Sequence, residues 1–165
     1  MPGRSHRCLT GPVNKPPSYR IIDDVKCLDR ERVHELLSRH AYWALGRDRR
    51  VTEAAIDGSR TWTVHATVAE ADGDAGETGE ELIGFGRVVT DGATMAWLCD
   101  VIIAPRCRGR GIGKALVDRI CRDLDPLGLR RMILVTEDAH ELYRQFGFRL
   151  VEDGWKWMVR QAPGA

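Results

Sequence analysis

Several features that would settle the class of this chain early are missing from it. No run of residues is apolar for long enough to cross a bilayer, and residues 1–18 lack the hydrophobic core of a secretory signal, so a cytoplasmic protein is expected. The five cysteines, at positions 8, 27, 99, 107 and 121, are odd in number and form no C-x-x-C pair. That spacing suggests neither a disulfide framework nor a zinc site, and no metal is expected. A formal net charge of +1 offers little to a polyanion, which argues against nucleic acid as a partner. Two nucleotide-binding signatures fail as well. G-x-x-x-x-G-K-[ST] is broken because Gly113-Lys114 is followed by Ala115 and position 108 is not glycine. G-x-G-x-x-G is broken because the glycines fall at 109, 111 and 113, with no βαβ unit ahead of them.

What is present is one stretch around which the rest is arranged. Val101, Ile102 and Ile103 form a β-branched run that Ala104-Pro105 ends, because proline cannot continue a ladder hydrogen bond. After Arg108 come Gly109, Gly111 and Gly113, and then Ile112, Leu116, Ile120 and Leu124 recur at helical spacing, with Val117 and Cys121 widening the stripe. A helix N-terminus leaves N–H groups unpaired and carries partial positive charge, so glycines that let an anion approach make a phosphate cradle. Arg106, Arg108, Arg110 and Lys114 surround it with formal charge. The expected ligand is a phosphate or pyrophosphate.

The remaining elements follow from local patterns. A length of 165 residues suits one domain, expected over residues 19–165 behind a flexible tail, 1–18, that is rich in proline and glycine. Tyr19 to Asp24 reads as a first strand. Asp29 is placed to cap a helix ending near His40, with Leu28 and Val33 as its staple and Val33, Leu36, Leu37 and His40 as its apolar stripe. Thr52 is placed to cap a second helix, with Val51 and Ile56 as the staple and Gly58 as the stop. Between them lies an aromatic and basic segment, Tyr42 to Arg50. Arg60–Val68 and Leu82–Val89 form a hairpin across an acidic connection, Glu70 to Glu81. Asp91-Gly92 turns the chain again, into Met95–Val101. Past Gly128, Met132–Val135 is expected as a parallel neighbour of the organising strand. Ala139, Leu142, Tyr143 and Phe146 form a helix face closed by Gly147. Phe148–Val151 and Trp155–Val159 complete a last hairpin about Asp153-Gly154.

Arg108-x-x-Gly111-x-Gly113 resembles the signature of the GNAT superfamily of N-acetyltransferases, and Ala139-His-Glu-Leu-Tyr-Arg-Gln-Phe-Gly-Phe148 resembles that family's second motif, A-x-x-L-Y-x-x-x-G-F. The order of elements is similar from about Tyr19 to Arg160. The resemblance implies an α/β (α+β) fold: a mixed, mostly antiparallel central sheet flanked by helices and splayed between strands 4 and 5. It implies acetyl-CoA as co-substrate, with the pyrophosphate on Arg108, Gly109, Arg110, Gly111, Ile112, Gly113 and Lys114. The rest of that ligand would lie along Val101, Ile102, Ile103, Thr136, Ala139 and Tyr143. Thr136 departs from the asparagine that the family often has there.

Acetyl transfer to an amine needs a neutral nucleophile, stabilisation of the oxyanion and a proton for the departing thiolate. Asp100, on the organising strand, is the first candidate for acceptor binding or proton removal, its bland alternative being a residue that ends or bulges the strand. His65, Glu53, Asp57 and His140 are weaker alternatives. A backbone N–H near Val101–Ile103 would meet the oxyanion, and Tyr143, at the family's tyrosine position, would be the general acid. Cys99 suggests an acyl-enzyme, but the family transfers directly within a ternary complex. Tyr42, Trp43, Trp97 and Asp100 are the candidate acceptor contacts, an aromatic and acidic set that favours a small cationic acceptor.

The expected activity is thus acetyl-CoA-dependent N-acetyl transfer to a primary amine of a small molecule or protein. Two other readings stay open: a non-catalytic acyl-CoA-binding sensor or subunit, and a toxin-like acetyltransferase of charged transfer RNA, against which the near-neutral charge weighs. The oligomeric state is open too, although a homodimer formed through terminal strands or helices is common in the family.

Overall fold

The computed structural model describes residues 18–69 and 78–151, together with 158 and 160. Five strands lie in chain order in one sheet: β1 Tyr19–Ile22, β2 Arg60–Ala69, β3 Thr78–Thr90, β4 Met95–Ile103 and β5 Arg131–Ile133. The first four pair antiparallel and β5 lies parallel to β4. The expected mixed sheet is therefore present. Of the tail, only Ser18 falls among the described residues, and its carbonyl accepts from Thr67 N at 3.1 Å, so pairing of β1 with β2 starts one residue early.

Helix α1, Arg30–His40, begins where Asp29 accepts from Arg32 N at 2.9 Å, as its sequence predicts. It buries Val33, Leu36 and Leu37, while His40 at its end is exposed. Helix α2, Arg49–Asp57, corrects the sequence reading. Asp48 caps it, accepting from Arg50 N at 2.7 Å, a turn before Thr52. Thr52 lies buried inside the helix, bonded to the Asp48 carbonyl and to His34 Nδ1, so a side chain suited to capping is used for packing between helices. Helix α3, Ile112–Leu124, buries Ile112, Leu116, Val117, Ile120 and Leu124. Helix α4, His140–Arg144, is a short piece following β5.

Two connections also differ from expectation. Glu80 and Glu81, read as part of the acidic loop, belong to β3. They are held there by ion pairs, Glu80 with Arg20 on β1 and Glu81 with Arg32 on α1 and Arg106. The link from β3 to β4 is four residues long, and Asp91 organises it by accepting from the N–H groups of Ala93, Thr94 and Met95 and from the Thr94 hydroxyl. Those donors drive the Asp91 pKa far below the usual carboxylate range. The last hairpin lies mainly outside the described residues, and residues 148–151 form no strand.

Helix α3 lies on the sheet face that carries Trp62 and Gly86. Trp62 Nε1 donates to Asp123 at 2.7 Å, and a Cβ on Gly86 would stand 3.1 Å from Ile120 Cδ1. Helix α1 packs against β3 and β4, and Phe85 and Ile102, which alternate with the α3-facing residues, are buried.

Two irregularities in β4 prepare the site. The ladder passes from Arg87↔Cys99 to Phe85↔Ile102, so Asp100 and Val101 both stand opposite Gly86 in a β-bulge. Asp100 has φ +49°, the only positive φ outside glycine among the described residues. Pairing of β4 with β5 stops at Trp97↔Ile133, whereas β4 runs on to Ile103. The two strands therefore part at their C-terminal ends and leave one edge of β4 open.

The close approach of β2, β3 and β4 at Gly84 gives a direct test of this packing. A Cβ there would lie 2.6 Å from Ile103 Cδ1 and 3.0 Å from Val64 Cγ2. Gly84→Ala should cost about 1–3 kcal/mol, read as a fall in melting temperature of about 2–4 °C per kcal/mol. Gly58→Ala meets only an ordinary contact at 3.6 Å and should leave the melting curve nearly unchanged.

Candidate active site

The open edge of β4 leads directly into the glycine turn. Ala104 N donates to the Ile83 carbonyl at 2.7 Å, which turns Ala104 toward β3. By alternation, the N–H and C=O of Ile103 face the opposite way, onto the edge that β5 has left. Arg108 Nε donates to that Ile103 carbonyl at 2.9 Å, and its Nη2 reaches the His40 carbonyl at the end of α1 at 3.3 Å. The arginine read from the sequence as a phosphate contact thus has part of its guanidinium engaged in tying the turn to β4 and α1.

Beyond it, Gly109 and Gly111 have φ +74° and +78°, and a Cβ on either would meet nothing within 4 Å. Gly111 is the N-cap of α3 and supplies no side-chain cap, so the first N–H groups of the helix are left to an outside acceptor. Gly113 lies against Ile103, where a Cβ would be 3.6 Å from Cγ1. Arg106 is drawn to Glu81, whereas Arg110 and Lys114 have no ion pair among the described residues. A cradle of free N–H groups, bare backbone and two unpaired cations fits a pyrophosphate.

Helix α4 carries Tyr143. The tyrosine packs edge-on against Phe148 with ring centroids 5.8 Å apart, and burial, with help from Asp138 and Tyr42, pushes its pKa up to about 12. Tyr143 lines a cavity of about 360 Å³ together with Trp97, Ile133, Thr136 and His140. The Thr136 hydroxyl accepts from Ala139 N at 3.1 Å and so supports the start of α4. Tyr42 bridges the gap, its hydroxyl accepting from Glu137 N at 3.3 Å.

Asp100 lies between these parts in a setting the sequence does not announce. Its side chain is 4% exposed, and both carboxylate oxygens are taken. Arg47 binds in bidentate fashion at 2.8 and 3.1 Å, Arg87 Nε donates at 2.7 Å and Trp43 Nε1 at 3.1 Å. Burial by itself would raise this pKa, but the hydrogen bonds and charges of Arg47 and Arg87 outweigh it and hold the carboxyl below its usual value. An ionised carboxylate with every acceptor site filled is a poor base, and the bulge that was the bland alternative for Asp100 is present. The cluster also carries two cations against one anion, the reverse of the acidic subsite expected for a cationic acceptor.

Comparison with known proteins places the chain in a family. The family model described as Acetyltransferase (GNAT) family matches residues 30–148. The chain belongs to the GNAT acetyltransferase family. It is similar to GCN5-related N-acetyltransferase 1, chloroplastic, of Arabidopsis thaliana, with 32% identity over 88% of this chain and 75% of that one. A solved GNAT acetyltransferase from Xanthomonas campestris pv. campestris superposes with a TM-score of 0.73 at 35% identity, covering 90% of this chain and 96% of that one. A more distant fold neighbour, a Mycobacterium tuberculosis protein solved in complex with CoA and NLQ, has a TM-score of 0.58 at 20% identity, covering 81% of this chain and 73% of that one. Against three plant relatives that it matches over shorter segments, the chain spans 38%, 40% and 48% of their length. Among the described residues, no helix is long and apolar enough to cross a membrane.

Within this GNAT frame, Val101–Ile103 lead into the glycine turn, Tyr143 lines the cavity beside β5, and Tyr42 and Trp43 meet Asp100 through the Trp43–Asp100 hydrogen bond. Trp97 lies on the cavity wall with Tyr143. Tyr42 and Trp43 stack edge-to-face at 4.8 Å and are 46% and 44% exposed. Of the weaker base candidates, Glu53 is paired with Arg49, Asp57 with Arg30, and His65 is bonded to Thr63. His140 remains, on the wall beside Tyr143. Sequence reasoning missed Arg47 and Arg87. Arg47 sits in the basic segment between the helices, and Arg87 is a charge inside a strand of apolar residues, which is the one signal that could have drawn attention to it.

Removing the Asp100 charge would leave two guanidiniums facing one another in a partly buried site. Asp100→Asn should therefore cost about 3 kcal/mol in urea unfolding. Because the folded pKa is depressed, the stability due to ionised Asp100 is present above about pH 4 and is lost as pH falls toward the folded value. The variant should show a shallower decline of stability below about pH 4 than the parent.

Proposed function

We propose that the chain is an acetyl-CoA-dependent N-acetyltransferase that moves an acetyl group directly onto a primary amine of a small molecule or protein. The observation that carries this reading is the continuity of the open β4 edge with the uncapped start of α3 at Gly111. The N–H groups at that start, with Arg110 and Lys114, would hold the pyrophosphate, and the edge at Ile103 would take the extended arm by strand-like hydrogen bonds.

Acetyl-CoA supplies an acetyl thioester, and the chain's own groups do the rest. The outward N–H of Ile103 would meet the negative charge that develops on the carbonyl oxygen. Tyr143, with a pKa near 12, keeps its proton throughout the neutral range and can offer it to the sulfur. A free thiolate near pKa ~8.5 is a weaker base than this phenolate, so the hydroxyl acts best as a hydrogen-bond donor that transfers its proton only as the bond to sulfur breaks. Asp100 holds Trp43 and Arg47 in place at the acceptor side, and the imidazole of His140 is the group on the cavity wall that would take the amine proton.

Binding and chemistry can be tested separately. Acetyl-CoA at a hundredfold excess over its dissociation constant should stabilise the protein by about 2.7 kcal/mol, a shift of about 5–10 °C that neither NAD nor ATP reproduces. Lys114→Glu should abolish that shift without unfolding the chain, because an acidic residue in the first turn favours a helix. Tyr143→Phe should keep the shift and lower the turnover rate by about a hundredfold in a thiol-release assay. Binding without turnover of any amine would favour the non-catalytic module, and absence of binding would remove the proposal.

A further inference from the structure

We infer that the amine accepted at this site also carries a carboxylate, which the free N–H groups of Arg47 and Arg87 hold. The inference rests on the acetyl-transfer reading above and narrows it to an acceptor class.

Charge and its shielding carry the argument. Arg47 and Arg87 each form an ion pair with Asp100 and with no other acid among the described residues, so the cluster holds one positive charge in excess. Their side chains are 19% and 15% exposed, which keeps water from screening that excess as it does at the surface. Similar imbalances elsewhere include well-exposed members, such as Arg39 and Arg106 around Glu35 and Glu81.

The guanidiniums also retain donors. Arg47 uses two N–H groups on Asp100, and Arg87 uses one on Asp100 and one on Ser59 Oγ. Each planar fork has further N–H groups beyond these, suited to a second carboxylate. No buried side-chain nitrogen among the described residues is without a partner, so Arg47 Nε and Arg87 Nη2, which donate to none of those residues, lie where solvent or a ligand reaches them. Position completes the case. Asp100 immediately precedes the open edge Val101–Ile103, so a carboxylate docked on the cluster brings its amine beside the place where the thioester carbonyl would sit. Tyr42 and Trp43 stand exposed at the rim. A purely cationic acceptor would meet net repulsion instead.

The test measures CoA thiol release with each standard α-amino acid and with its α-amide, using the parent protein, Arg47→Gln and Arg47→Lys, with melting curves in acetyl-CoA for all three. For the best acid, kcat/KM should exceed that of its amide by about tenfold or more. Arg47→Gln should bring the pair close to parity through KM, Arg47→Lys should recover part of the preference, and the acetyl-CoA shift should persist in both. Should Arg47→Gln melt below the assay temperature, Arg47→Lys carries the test, since it keeps the charge on Asp100 but loses the fork. Preference for amides or diamines, turnover of no acid, or a preference unchanged by the Arg47 variants overturns the inference. Loss of the acetyl-CoA shift in the parent protein would overturn the acetyl-transfer reading, and this one with it.

Discussion

The Asp100 carboxylate is the interaction on which the proposed acceptor side of the molecule depends. It joins the segment between α1 and α2, through Trp43 and Arg47, to β3 through Arg87, and it does so from the one place where β4 breaks its alternation. Without the bulge, Asp100 would follow Leu98 onto the face covered by α3, where a charge would have no partner. The extra residue and the positive φ turn the side chain to the other face. The unfavourable backbone conformation and the burial of charge are offset together by four hydrogen bonds on two oxygens.

The proposed cofactor side rests on a different device, the absence of pairing. β5 accompanies β4 for three residues and then departs, so the last residues of β4 offer backbone groups to something other than a strand. Gly111 continues the same offer at the start of α3, because nothing from its own side chain closes the helix. Ion pairs around this region lie at its back: Glu81 draws Arg32 and Arg106 together across α1, β3 and the end of β4. That arrangement leaves Arg110 and Lys114 as the cations of the turn without an ion pair among the described residues.

Much of this was legible in the sequence where a local cause acts. The β-branched run before Pro105, the glycines at 109 and 111, the cap at Asp29 and the stripe of α3 each depend on neighbours within a few residues, and each element lies where those residues put it. The family signature supplied the order of the sheet and the gap between β4 and β5. What was not legible depends on partners far along the chain. Glu80 and Glu81 read as loop because their arginines stand at 20, 32 and 106. Thr52 read as a cap because His34 and the early start at Asp48 lie outside its own pattern. Asp100 read as a group for acceptor binding or proton removal, or as the end or bulge of its strand, and only folding brings Arg47 and Arg87 to it from 53 and 13 residues away.

Arg108 has a consequence for how the two halves of the site communicate. One guanidinium holds the last carbonyl region of α1, at His40, and the end of β4, at Ile103, while its own backbone begins the glycine turn. The helix that leads into the proposed acceptor segment and the loop that would cradle a phosphate thus share one side chain. A ligand that settles the loop also settles the end of α1, and a ligand that settles the acceptor segment acts on the loop through the same side chain. Linkage makes such coupling reciprocal: the factor by which one substrate tightens the binding of the other is the same in both directions.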